Sequence, residues 1–332
     1  MPNIYFNSQK IPFKVGQSIL DALIEFDFKP VYSCKKGVCQ TCMLKSDSSQ
    51  ITQSQMEVKD TLKVQGYFLP CQCYPDSDIS VISPCSEDIT YDMQVSDKKL
   101  LTQDIVQLKL VFTSDNRVFI RAGQFINLKV QNDILRSYSV ANTPEKDGYI
   151  ELHIQKVPDG KMSAWCFEHA NIGSALSMIG PFGKCIYLSD FKNDDLVLIG
   201  TGTGLAPLIG IINQALSNKH KGKITLFHGS RHFNGLYLHQ TLKKLADTHE
   251  NFYYKPCLSG EIPQTLADEN INNGRVNKVA MMQLNKQKGD YKNIRFYLCG
   301  HPEMVKNMQK MAYLSGAILS KINADPFEYT AY

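Results

Sequence analysis

The sequence predicts a multidomain fold: a small α+β unit, then a β-rich unit, then an α/β unit built on a doubly wound parallel sheet. Three observations predict it. Short apolar runs around one helical pattern occupy residues 1–88. Strand-like runs punctuated by Gly and Pro occupy residues 89–190. Apolar strands alternating with helical patterns occupy residues 191–332. A chain of 332 residues has room for two or three such domains.

In the first unit, Ile4–Phe6 and Ile11–Val15 flank a polar turn and read as a hairpin. Ser18 can cap a helix, with Asp21 three residues on and Leu20, Leu23 and Ile24 on its buried face. In the second unit, Ile105–Phe112, Phe125–Val130 and Tyr149–Gln155 are strand-like, and many such strands with turn signals suggest a barrel or a sandwich. In the third, strands are expected at Leu196–Ile199, Ile224–Phe227, Phe252–Tyr254 and Ile294–Leu298. Helices are expected between them, for example Pro207–Leu216 and Pro302–Leu314.

Bulk properties exclude some functions. The net charge of +4 is spread along the chain, with no basic run or aromatic stripe for nucleic acid. No apolar stretch is long enough to span a bilayer, and the first 30 residues lack the pattern of a signal peptide. A cytoplasmic location is expected, and the ten cysteines then read as ligands or free thiols.

Cys34, Cys39 and Cys42 have four and two residues between them, the spacing of a plant-type 2Fe-2S ferredoxin loop. Thiolates hold such clusters, and Gly37 supplies backbone freedom within the wrap. Backbone N–H groups of the loop can donate to the cluster sulfurs. Leu69-Pro70-Cys71-Gln72-Cys73 offers the fourth thiol. In an extended segment, Cys71 and Cys73 would share a face. Zinc is the alternative, since Cys39 and Cys42 also fit a zinc pair, but the gap after Cys34 is unusual for it. Cys85, Cys166, Cys185 and Cys257 read as inert thiols.

Arg136-Ser137-Tyr138-Ser139 places an Arg suited to a pyrophosphate, a flat aromatic face and a hydroxyl for a ring nitrogen on one strand. Gly160-Lys161-Met162-Ser163 opens a helix whose free N–H groups suit phosphate. Leu196–Ile199 runs into Gly200-Thr201-Gly202-Thr203-Gly204-Leu205-Ala206-Pro207, a strand, glycine turn and helix start that cradle a dinucleotide. The usual last glycine of that fingerprint is missing. Cys299-Gly300-His301-Pro302-Glu303-Met304 again joins a strand to a helix at the end where ligands bind.

Together these motifs resemble the ferredoxin-NADP reductase superfamily. More closely, they resemble the fused iron-sulfur flavoprotein reductases that supply bacterial oxygenases. The resemblance covers nearly the whole chain. It implies a β-grasp 2Fe-2S domain, an antiparallel β-barrel FAD domain and a doubly wound NAD(P)-binding domain. It implies that Arg136, Tyr138 and Ser139 hold FAD, with Ser139 near the flavin N5, and that Gly160, Lys161, Met162 and Ser163 bind its pyrophosphate. It implies that Gly202, Thr203, Gly204 and Pro207 cradle the nicotinamide dinucleotide, while Cys299, Gly300, Glu303 and Met304 line the hydride-transfer site. It selects Cys71 over Cys73, because the family's fourth ligand follows an apolar pair and precedes Gln or Arg. Relatives often carry Gly after the second cysteine where this chain has Gln40. They also place a C-terminal aromatic over the flavin, for which Phe327 and Tyr332 qualify.

The expected activity is electron transfer from NADH, through FAD and a 2Fe-2S cluster, to a partner protein, an oxygenase component. Ser139 and Cys299 would tune and orient. A deoxysugar dehydratase as acceptor, or a redox-sensing or zinc module, is the alternative. Ser230 and Arg231 follow the second strand of the third unit, where NADH and NADPH are told apart, so NADPH stays possible. Lys35 and Lys36 lie in the cluster loop, either as solvated charge or as a basic rim for an acidic partner.

Overall fold

The computed structural model describes residues 1–28, 30–32, 34–83, 90–115, 117–130, 134–262, 270–286 and 291–327. Cys85 and Tyr332 lie outside the described residues. The first unit opens with β1 (Asn3–Phe6) and β2 (Gln9–Pro12), the expected antiparallel hairpin, followed by α1 (Ile19–Glu25). The Ser18 hydroxyl caps α1 by accepting from the Asp21 N–H at 3.1 Å. Two-residue strands β3 (Leu44–Lys45) and β4 (Tyr67–Phe68) pair with each other, and β5 (Ile79–Val81) adds to β1 in parallel. Burial of Ile19, Ala22 and Leu23 against Ile4, Ile11 and Phe68 forms the core of this unit. The cysteine loop hangs between α1 and β3.

The second unit is a six-stranded antiparallel sheet of β6 (Thr90–Leu100), β7 (Ile105–Phe112), β8 (Phe125–Val130), β9 (Ile134–Ser139), β10 (Ile150–Gln155) and β11 (Ala175–Phe182), ordered β10-β7-β6-β11-β8-β9. Val140, just past β9, bridges Leu152 of β10 and closes the sheet into a barrel. Ile126, Leu128 and Val130 fill its core with Leu108, Leu110 and Leu152. Alternation therefore sends Phe125 and Asn127 of β8 to the outer face.

The third unit contains β12 (Asp195–Thr201), α2 (Leu205–Ser217), β13 (Ile224–Ser230), α3 (His239–Thr248), β14 (Phe252–Leu258), β15 (Asn272–Asn273), α4 (Val276–Lys286), β16 (Ile294–Gly300), α5 (Pro302–Leu314) and β17 (Ile322–Pro326). The strands form a parallel sheet in the order β15-β14-β13-β12-β16-β17. Val197, Ile199, Phe227 and Phe296 pack on α4 and α5, while Leu196, Leu198, Leu226 and Tyr297 pack on α2 and α3. Helices on both faces make this the expected doubly wound arrangement. Among the described residues no helix is long and apolar enough to cross a membrane.

The units share core. Leu20, Cys42, Met43, Leu69 and Cys71 of the first pack with Phe125 and Phe182 of the barrel. A cavity of about 880 Å³ lies where all three meet, between Gly37 and Gln40 of the cysteine loop, Phe125 of the barrel and Asp325 of β17.

Candidate active site and cluster site

The four thiols form two close pairs. Cys42 and Cys71 are 3.5 Å apart at sulfur, and the Cys34 and Cys39 backbones each donate to the other's sulfur, at 3.5 and 3.4 Å. The Lys36 N–H adds a bond to Cys34 Sγ at 3.3 Å. The thiol of Cys39, together with the N–H groups of Cys39, Lys36 and Val38, pulls Cys34 down to about 5 against its burial. Cys71 is lowered by Cys42, the Gly37 N–H and the Gln72 amide, while Cys39 and Cys42 are pushed up by their partners and by burial. In each pair one sulfur, Cys34 or Cys71, is lowered, first by its partner thiol and then by loop N–H groups. Among the described residues no three such side chains converge as a site for a single metal ion. Two pairs suit a two-iron cluster, with two thiolates to each iron, better than one zinc ion.

One expectation about this loop changes. Residues 70–72 form a single 3-10 turn, so Cys71 and Cys73 do not share a face. Cys73 turns into the core of the first unit beside Gln50, whereas Cys71 faces the barrel. Lys35 is engaged locally: it bonds Asp21 at 2.8 Å and lies over the Tyr32 ring, with its side chain still partly exposed. Gln40 adopts φ +55°, a left-handed conformation that favours glycine. Its amide N–H₂ donates to the Glu57 carbonyl at 2.8 Å and holds it there.

Arg136, Tyr138 and Ser139 all lie on β9. The next segment begins a short helix at Lys161 with Gly160 at its N-cap. A Cβ at Gly160 would come within 2.7 Å of Ser163 Oγ, which already accepts from the Val157 N–H at 3.1 Å. A bare N-terminal cradle is therefore built into the sequence and fits a phosphate. Met162 packs into the barrel core, so only its backbone can serve that cradle.

The glycine turn after β12 carries Gly202 at φ +54°. A Cβ at Gly204 would meet the Cys299 carbonyl at 2.4 Å, which presses the turn against the end of β16. Pro207 sits in the first turn of α2, where its missing N–H costs nothing. Gly300, at φ +115°, packs on the Thr201 backbone, and the His301 N–H donates to Thr201 Oγ1 at 3.1 Å. The N–H groups of the 3-10 turn Gly202–Gly204 that leads into α2 fit a pyrophosphate. Ser230 and Arg231 end β13 as expected; Ser230 Oγ donates to the His232 carbonyl at 2.8 Å, and Arg231 is exposed. Glu303 is exposed at the start of α5, whereas Met304 is buried in the core.

The two expected catalytic residues meet a third that the sequence reading missed. Ser139 Oγ donates to Asp325 Oδ2 at 3.2 Å across the join between barrel and β17. Asp325 pairs in register with Cys299. Burial pushes the Asp325 carboxyl up to about 6, against the lowering effect of Ser139. Cys299 is fully buried, and its thiol is pushed well up by burial and by Cys185, whose sulfur is 3.7 Å away. Cys185 is therefore not an isolated core thiol. Cys166 and Cys257 are: burial pushes both up to about 12. The signal for Asp325 was its place two residues before Phe327, whose own N–H donates to the Gly300 carbonyl at 2.8 Å.

Three family models match the chain in the order of its sheets: a 2Fe-2S iron-sulfur cluster binding domain over residues 4–76, an oxidoreductase FAD-binding domain over 92–187 and an oxidoreductase NAD-binding domain over 198–310. The aromatic O-demethylase reductase subunit of Amycolatopsis is 31% identical over 76% of this chain and 79% of its own. The ferredoxin–NAD(P)(+) reductase component of the naphthalene 1,2-dioxygenase system of Pseudomonas putida is 29% identical over 97% and 96%. Among solved structures, a cytochrome P450 reductase of Amycolatopsis superposes with a TM-score of 0.67 at 26% identity, covering 98% of this chain and 99% of that one. The chain belongs to the ferredoxin-NADP reductase superfamily, as a fused reductase with 2Fe-2S, FAD and NAD-binding domains in that order.

Proposed function

We propose that this chain is the reductase component of an oxygenase: it takes electrons from NADH and delivers them one at a time to an oxygenase partner. Three domains carry this, over residues 1–88, 89–190 and 191–332. The observation that supports it most is the meeting of Ser139, Asp325 and Cys299 at one join while Cys42 and Cys71 pack against the same barrel. A flavin at β9 would supply the conversion of a two-electron donor into single electrons. Relatives of similar length are named as parts of dioxygenase and demethylase systems.

Cys34, Cys39, Cys42 and Cys71 hold the cluster. Arg136, Tyr138, Ser139 and the Gly160–Ser163 turn hold FAD, and Phe327 covers it. Gly202, Thr203, Gly204 and Pro207 bind the pyrophosphate of the nicotinamide dinucleotide, Ser230 and Arg231 its adenosine side. Cys299 and Gly300 shape the approach to the reacting carbon. Ser139 orients the flavin edge, and the Asp325 carboxyl, raised to about 6, would take up or release a proton at Oδ2 as Ser139 Oγ gains or loses another at the flavin edge, so that the hydroxyl stays neutral. The protein works in the cytoplasm, consistent with free thiols at all nine described cysteines.

One observation favours NADPH as a second donor: β13 ends at Ser230, with Arg231 next and no carboxylate there to repel a 2′-phosphate. Anaerobic NADH addition to the yellow-brown protein, followed by an oxygenase component and its aromatic substrate, tests the proposal. Product formed in step with NADH consumed is expected. Bleaching without turnover of any oxygenase would move the acceptor to another class, and equal catalytic efficiency with NADPH would replace NADH as the sole donor.

A further inference from the structure

We infer that Asn127 is a positioning residue for electron exit: it fixes the cluster loop to the flavin strand through Ser137. The inference rests on the reductase reading above. Asn127 stands on the outer face of β8, where the pleat puts it beside Phe125 and directly opposite Ser137 of β9. It is completely buried although it lies outside the barrel core, because the cysteine-bearing unit covers it. Ser137 Oγ donates to Asn127 Oδ1 at 2.6 Å, and Asn127 Nδ2 donates to the carbonyl of Cys39 at 3.1 Å. A carbonyl cannot donate, so the amide orientation is fixed by its partners.

The result is a continuous buried bridge from the strand that carries Arg136, Tyr138 and Ser139 to the backbone of a cluster ligand. Each bond in it polarises the next, and each partner would be left unsatisfied in a low-dielectric place if the amide were removed. Ser137 and Ser139 leave the same face of β9, about 7 Å apart by strand geometry. Ser139 reaches the nicotinamide side at Asp325, and Ser137 reaches the cluster side at Cys39. One strand face therefore sets the separation of the entry and the exit. On the barrel side Phe125 packs on Phe182, their ring centres 5.6 Å apart, and on the loop side Gln40 is fastened to Glu57, so each face of the join is braced within its own unit.

Asn127→Leu keeps the volume and removes both bonds. The purified holoprotein is mixed anaerobically with NADH, with flavin bleaching and the electron-spin signal of the reduced cluster followed separately. Deuterium exchange of the amides in residues 35–43 is measured on the same samples. Flavin bleaching should stay within about twofold of wild type while cluster reduction slows by about tenfold or more, within the roughly hundredfold that an ångström of misplacement can cost. The loop amides should exchange faster. Ser137→Ala breaks the bridge at its other end and should slow cluster reduction by a smaller factor, so the idea can be tested even if the Leu variant does not fold. Cluster reduction unchanged in Ser137→Ala and in a folded Asn127→Leu overturns the inference, as does equal slowing of both steps. A wild-type protein whose flavin NADH does not bleach overturns instead the reductase reading beneath it.

Discussion

The barrel meets its two neighbours in different ways. Toward the cysteine-bearing unit the join is apolar and buried, with Phe125, Phe182, Leu20 and Leu69 packed together and one amide reaching the Cys39 carbonyl. Toward the nucleotide unit apolar packing, with Ile105 among Leu196, Leu208 and Ile211, is joined by polar, titratable contacts. Ser139 meets Asp325, and a second contact runs from Glu151 through His153, at 2.9 Å, to the Tyr237 hydroxyl at 3.2 Å. The difference follows from what crosses each join. Single electrons need a fixed separation and nothing else, which close packing supplies. A hydride donor must enter, align and leave, and its charge changes as it reacts, which calls for groups that hydrogen-bond and exchange protons.

The largest expected effect lies on the apolar side. Cys71→Ser should lose or cripple the cluster, seen as loss of iron and of the long-wavelength absorbance, while NADH still bleaches the flavin. A normal cluster in that variant would move the fourth ligand to Cys73. On the polar side, Asp325→Asn should slow flavin bleaching by about a hundredfold, the lower end of the usual worth of a placed acid or base, and leave the flavin-to-cluster step alone.

The same substitution separates charge from geometry. Asp325 has its carboxyl raised to about 6 from an ordinary 3.8. A raised value favours the protonated fold, so that contribution is full below about pH 4 and is lost as pH rises through 6. Asp325→Asn should therefore stabilise the protein above pH 6, by at most about 3 kcal/mol from the size of the shift, with the gain vanishing toward pH 4. Thermal midpoints across that range check it, and a pH-independent gain would contradict it. Tyr237→Phe leaves the ring in place and removes one buried bond to His153, so a loss of about 1 to 3 kcal/mol is expected with no change in cluster content. The smallest effect belongs to Lys36→Glu, which should slow reduction of an acidic acceptor protein at low salt and not that of a small dye, with the difference gone at high salt.

The contrast between the joins also marks what the sequence could disclose. The strands Ile105–Phe112 and Phe125–Val130 and the helix Pro302–Leu314 fall where local periodicity and caps place them. Local motifs likewise expose the cysteine loop, the β9 signature and the glycine turn. The choice between Cys71 and Cys73 depended on a 3-10 turn at Pro70 that alternation alone does not foresee. Asp325 and Asn127 were missed because their partners Ser139 and Cys39 lie 186 and 88 residues away; Asn127 has no local pattern, and Asp325 has only its place two residues before Phe327. Met304, placed in the site by its motif, is buried in the core because α5 turns that side of its first turn onto the sheet.

The central claim is that one face of β8 and β9 sets both the entry and the exit of electrons. Anaerobic single-turnover mixing of Asn127→Leu and Asp325→Asn with NADH, each followed at the flavin and at the cluster, tests it most directly. The account predicts opposite outcomes: the first variant slows only the cluster phase, the second only slows the flavin phase and leaves the transfer that follows at its wild-type rate constant. Two variants that slow the same phase, or both phases together, would contradict it.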